Sequence, residues 1–559
     1  MIEKILSIRL EQILKNEIEE VKGKLGGVTP FKAIELIKCI DHCFVAQSYI
    51  YPKNSIYYQN NLTIYQKYTT GWYDLLKISL EGLTSPALIT PIATSKAGIQ
   101  WANDLFGHMG NVGNVKRIIA LAETTDFVSC KFERDVFKFK VQTDDAGIEF
   151  LEAQEQWKMG QEHFNKQSIP ISNELTKIMR GNSYSADKVT VTYNPNEYVD
   201  NHFIAAGRAY AKAAVSFDSF PGESIFNGIP YSLYQEVLTC LISRCYKHLQ
   251  YCLQFQIKTG HQILNPWNIY TQVVNKNSLI NQVSAYTKIC LEQVETILNV
   301  ITLDANKLVA VNFQPAFAPP PIIKTGGNSL ALSMMGHLSN PFIYFNKCLD
   351  KLFSNDRSVA GSVREKAFKE ELYSVFENNL IKIKHEVRLK EGGKELTDID
   401  AVIFDRQHQI LCLFQLKWMD DWGTDMYRRR NMIANYKKKV DKWIEMVDYY
   451  IDKQGRDKLY NILQINGIDG QAKIYKIILG RHFSLSSGYQ LPEGTVALNW
   501  ARLINLLHKN PNFQSSLLAL INHLKDNPLT RSLDKHRISP LTIPLGIYSV
   551  HLSSGGDTL

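Results

Sequence analysis

The sequence predicts an α/β domain at the C-terminal end of the chain, preceded by a large, mainly α-helical N-terminal region. Three observations carry this expectation. Over residues 1 to about 310, apolar residues recur three and four apart, as in "FKAIELIKCIDHCFVAQ", "YSLYQEVLTCLISRCYKHLQYCLQ" and "INQVSAYTKICLEQVETILNVI", the period of helices with one buried face. From residue 360 the pattern changes to strand-like apolar runs alternating with helical ones, the ordering of an α/β unit. Between them, "NFQPAFAPPPIIKTGGNS" (312–329) carries four prolines and a Gly-Gly pair, the strongest punctuation in the chain.

The chain has 559 residues, which at roughly 100–200 residues per domain suggests two to four domains. Apolar residues make up 45% and charged residues 21%, the balance of a chain that builds cores and not of a disordered one. A net charge of +8 permits a polyanionic partner without requiring one. No run of 18 apolar residues occurs, and "MIEKILSIRLEQILKNEIEE" lacks the apolar core and cleavage site of a signal peptide. Nine scattered cysteines, an odd number without framework spacing, suggest a reducing compartment, so the expected location is cytoplasmic, with no membrane partner.

Taken in order, residues 1–330 read as a mainly helical region; by analogy with other chains of this architecture, and not from its residues, it is expected to sense or dock, through a protein partner or self-association. Two interruptions stand out: a hairpin in "DFVSCKFERDVFKFKVQT" (126–143) and a strand-like run in "DKVTVTYNPNEY". Residues 331–359 read as a connector. The α/β domain spans 360–525, with a helix (362–379), a strand (381–389), a hairpin, a basic helix (426–452), a strand (473–483) and a helix (499–509). Residues 526–559 read as a peripheral tail.

The hairpin "LTDIDAVIFDRQHQILCLFQLKW" (396–418) carries the functional signal. With its turn centred on Gln407 and His408, Asp400 falls opposite Gln415, and Asp398 opposite Lys417. Opposed residues of an antiparallel pair share a face, so four polar side chains gather at one end of an otherwise apolar hairpin. Burying them unpartnered would be costly. A carboxylate, an amide oxygen and an ammonium placed together suit a hard cation such as Mg2+. The same four residues also suit an ordinary cross-strand ion pair at a sheet end.

Asp400, fourteen intervening residues and then Gln415-Leu416-Lys417 resembles the PD-(D/E)xK nuclease superfamily, whose signature is an Asp on one strand and Glu, Asp or Gln-x-Lys on the next. The Gln form is similar to Mrr-type and NERD-type domains. The resemblance covers about 360 to 525 and implies a restriction-endonuclease-like fold, a mixed central sheet flanked by helices. It implies Asp400, Gln415 and the Leu416 carbonyl as ligands of Mg2+ or Mn2+, with Lys417 orienting or deprotonating the attacking water. The helix before the strands, "REKAFKEELYSVF", supplies Glu365 as a fourth catalytic group, with Glu371 as second choice. Asp398 is expected to support Lys417 from behind. The implied function is a Mg2+-dependent DNA endonuclease, with RNA left open as substrate, acting as effector of a bacterial restriction or anti-phage defence system. Gln415 removes one negative charge from the commoner pattern, so the alternative is a catalytically degenerate nuclease fold that binds nucleic acid or protein.

"MYRRRNMIANYKKKVDK" (426–442) follows directly and holds seven Lys or Arg against one Asp. Arg428, Arg429, Arg430, Lys437, Lys438 and Lys439 are the expected phosphate contacts, a role that supplies salt-dependent affinity but little sequence information. Other signals are weaker. "GHMGNVGNVKR" (107–117) lacks the Gly-Lys-Ser/Thr of a P-loop and reads as a glycine-rich turn. Cys39, His42 and Cys43, and Cys240, Cys245, His248 and Cys252, lie at helical spacing among apolar residues and read as core.

Overall fold

In a computed structural model the described residues are 4–554, apart from 28, 82, 84–92, 125–127, 142–168, 188, 216–218, 261–263, 312–318, 419–425, 485–490 and 528–539. The protein is mixed α/β, with most of its helices in the N-terminal part. No helix among the described residues is long and apolar enough to cross a membrane.

The N-terminal part opens with α1 (Lys4–Leu25), α2 (Pro30–Val45), α3 (Ile56–Leu80) and α4 (Lys96–Thr124). Thr29 caps α2 by accepting from the Lys32 N–H, with Pro30 at the first helical position, where its missing N–H costs nothing. The glycines of 107–117 form no turn. They lie inside α4, and Gly110 and Gly113 let its backbone approach α3. A Cβ on Gly110 would stand 2.4 Å from the Lys67 carbonyl oxygen, and one on Gly113 2.5 Å from that of Thr70. Their three-residue spacing keeps both on one helix face.

The expected hairpin forms as β1 (Val128–Glu133) and β2 (Val136–Val141), joined by Arg134 and Asp135, both at positive φ as a two-residue turn requires. The strand-like run near 190 contributes only Thr192–Tyr193. A long helix, α5 (Tyr231–Thr259), ends on Gly260 in the left-handed conformation. It buries Cys240, Cys245, His248 and Cys252, while α2 buries Cys39 and Cys43. All of these cysteines are free thiols in the core.

The Pro/Gly punctuation is packed, and two expectations about organisation change. The second half of the Pro/Gly segment is a buried hairpin, β3 (Ile322–Gly326) and β4 (Ser329–Leu332), turned through Gly327 and Asn328; residues 312–318 lie outside the described residues. Residues 331–359 are no connector: α6 (Pro341–Leu352) and the turn before it bury Met334, Phe342, Tyr344, Phe345 and Cys348 in the N-terminal core. The tail is not peripheral, because its last two strands return to that core and lay Ile543, Leu545 and Val550 into it.

Helix α7 (Ser354–Ser374) leads from this core into the second one. The strands that follow are β5 (Ile381–Lys382), β6 (Val387–Glu391), β7 (Lys394–Ile399), β8 (Ala401–Asp405) and β9 (Ile410–Lys417). Next come α8 (Met426–Gln454), α9 (Arg456–Leu463), β10 (Lys473–Gly480), β11 (Thr495–Asn499), α10 (Trp500–Lys509) and α11 (Leu517–Asp526). The chain closes with β12 (Leu541–Leu545) and β13 (Tyr548–Ser554), and β13 runs parallel to β2. The predicted 381–389 strand is two separate strands, and β11, α9 and α11 lie outside the predicted elements.

The central sheet has the order β5-β8-β9-β10-β11, antiparallel across β5-β8-β9 and parallel across β9-β10-β11. Both faces are covered, so its strands are continuous apolar runs. Ile403, Cys412, Phe414 and Ile477 pack one face against Phe368 and Leu372 of α7 and Leu517 and Ile521 of α11. Val402, Phe404, Leu411 and Leu413 pack the other against Val440, Trp443 and Val447 of α8.

Candidate active site at the end of the central sheet

The β8–β9 register is the predicted one. Asp405 pairs with Ile410 and Ala401 with Phe414, around a turn in which Gln409 takes φ +52°. One step further, the Asp400 N–H donates to the Phe414 carbonyl at 3.1 Å, which brings Asp400 beside Gln415. The polar side chains lie on the α8 side of the sheet, by alternation from Val402 and Leu413.

Asp400 is anchored twice from β9. Its Oδ2 accepts from the Leu416 N–H at 2.7 Å and from the Gln415 side-chain amide. Burial pushes its carboxyl up to about 6, against the downward pull of Lys417, the Leu416 N–H and Gln415 and with a further push from Asp398. Lys417, half-buried at the strand end, has its ammonium pulled below the usual lysine range by desolvation, opposed by Asp400, Asp398 and Glu365. Its carbonyl accepts from the Arg481 N–H at 2.8 Å. By the alternation of a parallel ladder, the Leu416 N–H then faces the other way, to Asp400. The strand end is pinned by Gly480, opposite Lys417, where a Cβ would stand 1.8 Å from the Phe483 carbonyl oxygen.

Asp398 departs from the expected ladder. The chain bends at Asp400, and β7 leaves the central sheet to pair with β6, so Asp398 stands opposite Arg388 and not opposite Lys417. A bend at the last paired residue is invisible in an alternation that continues unbroken through "TDIDAVIF". Asp398 is exposed, yet its charge still reaches Lys417, and its carbonyl accepts from Trp443 Nε1 at 2.8 Å.

Glu365 is exposed on α7 and close enough for its charge to act on Lys417. Glu371 is instead held by Arg481, whose Nη1 lies 2.6 Å from its carboxylate. Lys369 was missed in the sequence. Its signal was the four-residue spacing from Glu365, which places both on one side of α7. Its ammonium is pulled down by burial and opposed by Glu370, Asp400 and Glu386. Tyr373, one turn on, donates to the Ile383 carbonyl at 2.7 Å and accepts from the Val402 N–H at 3.0 Å, bracing the β5–β8 edge.

The basic helix is α8. Lys437, Lys438 and Lys439 are exposed, and the Lys439 charge reaches Lys417. Arg428, Arg429 and Arg430 lie in its first turn, with their side chains outside the described residues. Tyr436 donates to the Ser484 carbonyl at 2.6 Å and fixes this helix over the end of β10.

Asp400, the Gln415 side-chain oxygen and the Leu416 carbonyl are the groups here that could hold a hard divalent cation, while the Gln415 amide presents its N–H to Asp400. Elsewhere, Glu17, Glu20 and His108 bring ligand-type atoms within 4.8 Å of one another. Lys24 already supplies the cation there, 2.6 Å from Glu20 and 3.4 Å from His108 Nδ1. Comparison with protein-family models, with curated proteins and with solved structures returns no match for this chain.

Proposed function

We propose that the chain is a metal-dependent nuclease of the restriction-endonuclease-like kind, hydrolysing phosphodiester bonds in DNA at the end of its central sheet. The observation that carries this reading is the double anchoring of Asp400 by the Leu416 N–H, at 2.7 Å, and by the Gln415 amide. It brings a half-buried carboxylate beside Gln415 and Leu416, with the half-buried Lys417 next along the strand, in the order of the PD-(D/E)xK resemblance. The strand order and the parallel β9–β10 pairing agree with such a domain.

In this reading Asp400, Gln415 and the Leu416 carbonyl would hold Mg2+ or Mn2+. A bound divalent cation supplies Lewis-acid polarisation of the phosphoryl oxygens and a more acidic water. Lys417, with its lowered proton affinity, orients or deprotonates the attacking water and offsets charge developing at phosphorus. Glu365 positions water from α7. Lys437 to Lys439 draw the polyanion to the site edge. The resemblance extends the reading to an effector of bacterial restriction or anti-phage defence, with the helical region as its sensing or docking part.

A second reading follows from the Gln415 bond itself. Its amide already satisfies Asp400 without a cation, as it would in a degenerate domain that only binds nucleic acid or protein. One experiment separates the two. Purified wild type and Lys417→Ala are incubated with supercoiled, linear and single-stranded DNA and with RNA, with and without Mg2+ or Mn2+. Metal-dependent cleavage by wild type, lost in Lys417→Ala and in Asp400→Ala with both variants folded, is expected. Undiminished cleavage by Asp400→Ala removes this site from consideration, and nucleic-acid binding without cleavage favours the second reading.

A further inference from the structure

Trp418 directly follows Lys417, and two guanidiniums lie over its ring system. Arg481 is 4.6 Å from the ring centroid, and so is Arg364. Arg364 is 3% exposed and belongs to α7, and it lies 4.8 Å from a second ring, that of Phe220. Phe220 belongs to the N-terminal core, packed on Phe226 at 5.0 Å and Tyr231 at 5.5 Å. An unbroken series of aromatic and cationic contacts therefore runs from the helical region to the residue beside Lys417.

Helix α7 reinforces the link. Near its start Asp356 accepts from the Asn227 N–H at 2.7 Å, and Ala360 is buried in the N-terminal core. Two turns on, Phe368 and Leu372 are buried in the core of the C-terminal sheet. Arg364 and Glu365 sit where the helix passes from one core to the other. At the far end of the series, the Arg481 N–H donates to the Lys417 carbonyl, and its side chain holds Glu371 and lies over Phe368 and Trp500 at 5.4 and 5.3 Å. The planar stacking of a guanidinium between rings is one that an ammonium does not reproduce.

We propose that Phe220 and Arg364 are positioning residues, which tie the helical region to Trp418 and through it hold the Lys417 end of β9 in place for the reaction. A displacement of the helical region on meeting a partner would then reach the reacting lysine directly, without a diffusible signal. What is positioned rests on the nuclease reading; the mechanical link does not.

The test uses the full-length protein as Phe220→Leu, Arg364→Lys and the double variant, with Phe226→Leu as a control that removes a neighbouring ring not touching Arg364. Two readouts are taken. Hydrogen exchange at the amides of residues 414–418 is expected to rise in both single variants and to stay at the wild-type level in the control. Single-turnover cleavage of supercoiled plasmid at saturating Mg2+ is expected to slow about tenfold in each single variant and no further in the double, with half-saturation by DNA unchanged within about twofold. Wild-type exchange at 414–418 in Phe220→Leu overturns the proposal, as do single effects that multiply in the double variant. If wild type itself does not cleave, the nuclease reading fails, and the exchange measurement still decides the link.

Discussion

Gln415 donates its side-chain amide to Asp400 across the β8–β9 pair, the bond that a carboxylate at position 415 could not make. With an acid at both positions, two anions would face each other in a part-buried site, and a cation or a shared proton would be needed to reconcile them. Gln415→Glu should therefore trade stability without metal for affinity with it. The metal-free protein is expected to lose roughly 1–3 kcal/mol, and Mg2+ binding to tighten roughly tenfold. Thermal melts with and without Mg2+, together with calorimetric titration, check both. A variant as stable as wild type in chelator would mean that the two side chains do not share a site.

Exposed lysines at the edge of the site make a salt-dependence prediction. Reversing Lys437, Lys438 and Lys439 to Glu removes three cations from one stretch of α8. If they meet phosphates, the slope of log affinity for duplex DNA against log salt should become shallower by roughly 2–3. Fluorescence anisotropy across a salt series measures it. An unchanged slope would make these residues a solvated helix face.

Asp41 is buried in the N-terminal core. Its carboxylate accepts from the Thr271 and Ser333 hydroxyls at 2.7 and 2.8 Å and from the Met335 N–H at 2.9 Å. Burial pushes its carboxyl up to about 6, outweighing those bonds. The folded state therefore holds this proton more tightly than the unfolded chain. Its contribution to stability is fully present below about pH 4 and is lost as pH rises through 6. The loss amounts to about 3 kcal/mol. Asp41→Asn should flatten that part of the profile, so the stability difference between wild type and variant should change between pH 4 and 6.5 and be constant above. Urea unfolding across this range reads it.

The α3–α4 seam makes the fourth prediction. Gly110→Val places a side chain against the Lys67 backbone, which cannot rotate away, and should cost about 1–3 kcal/mol or more. Gly23→Ala, on the exposed side of α1 with nothing within 4 Å of its Cβ, should stabilise by about 0.5–1 kcal/mol. Denaturant unfolding of the two variants gives the contrast.

Much of the C-terminal sheet was legible because its cues are local. Alternation and turn length set the β8–β9 register, and that register alone put Asp400 beside Gln415. The basic helix and the strand after it were likewise visible as charge and apolar runs. Lys369 and Arg481 were not, because their relevance lies in what they approach across the fold: Asp400 for one, Glu371 and Trp418 for the other.

By itself the sequence determined which residues alternate, which turn, and hence which polar groups share one end of a hairpin, since these depend on φ, ψ and a two-residue period. Only the tertiary structure decided where that regularity stops. Asp398 leaves the ladder because β7 finds β6, and the tail joins β2 because that strand has an edge to cover. Likewise, the glycines of α4 are spent on a neighbouring helix, and Trp418 is held from the N-terminal core through Arg364. Each of these is a contact between segments far apart in the chain, chosen by complementary surfaces that no local window contains.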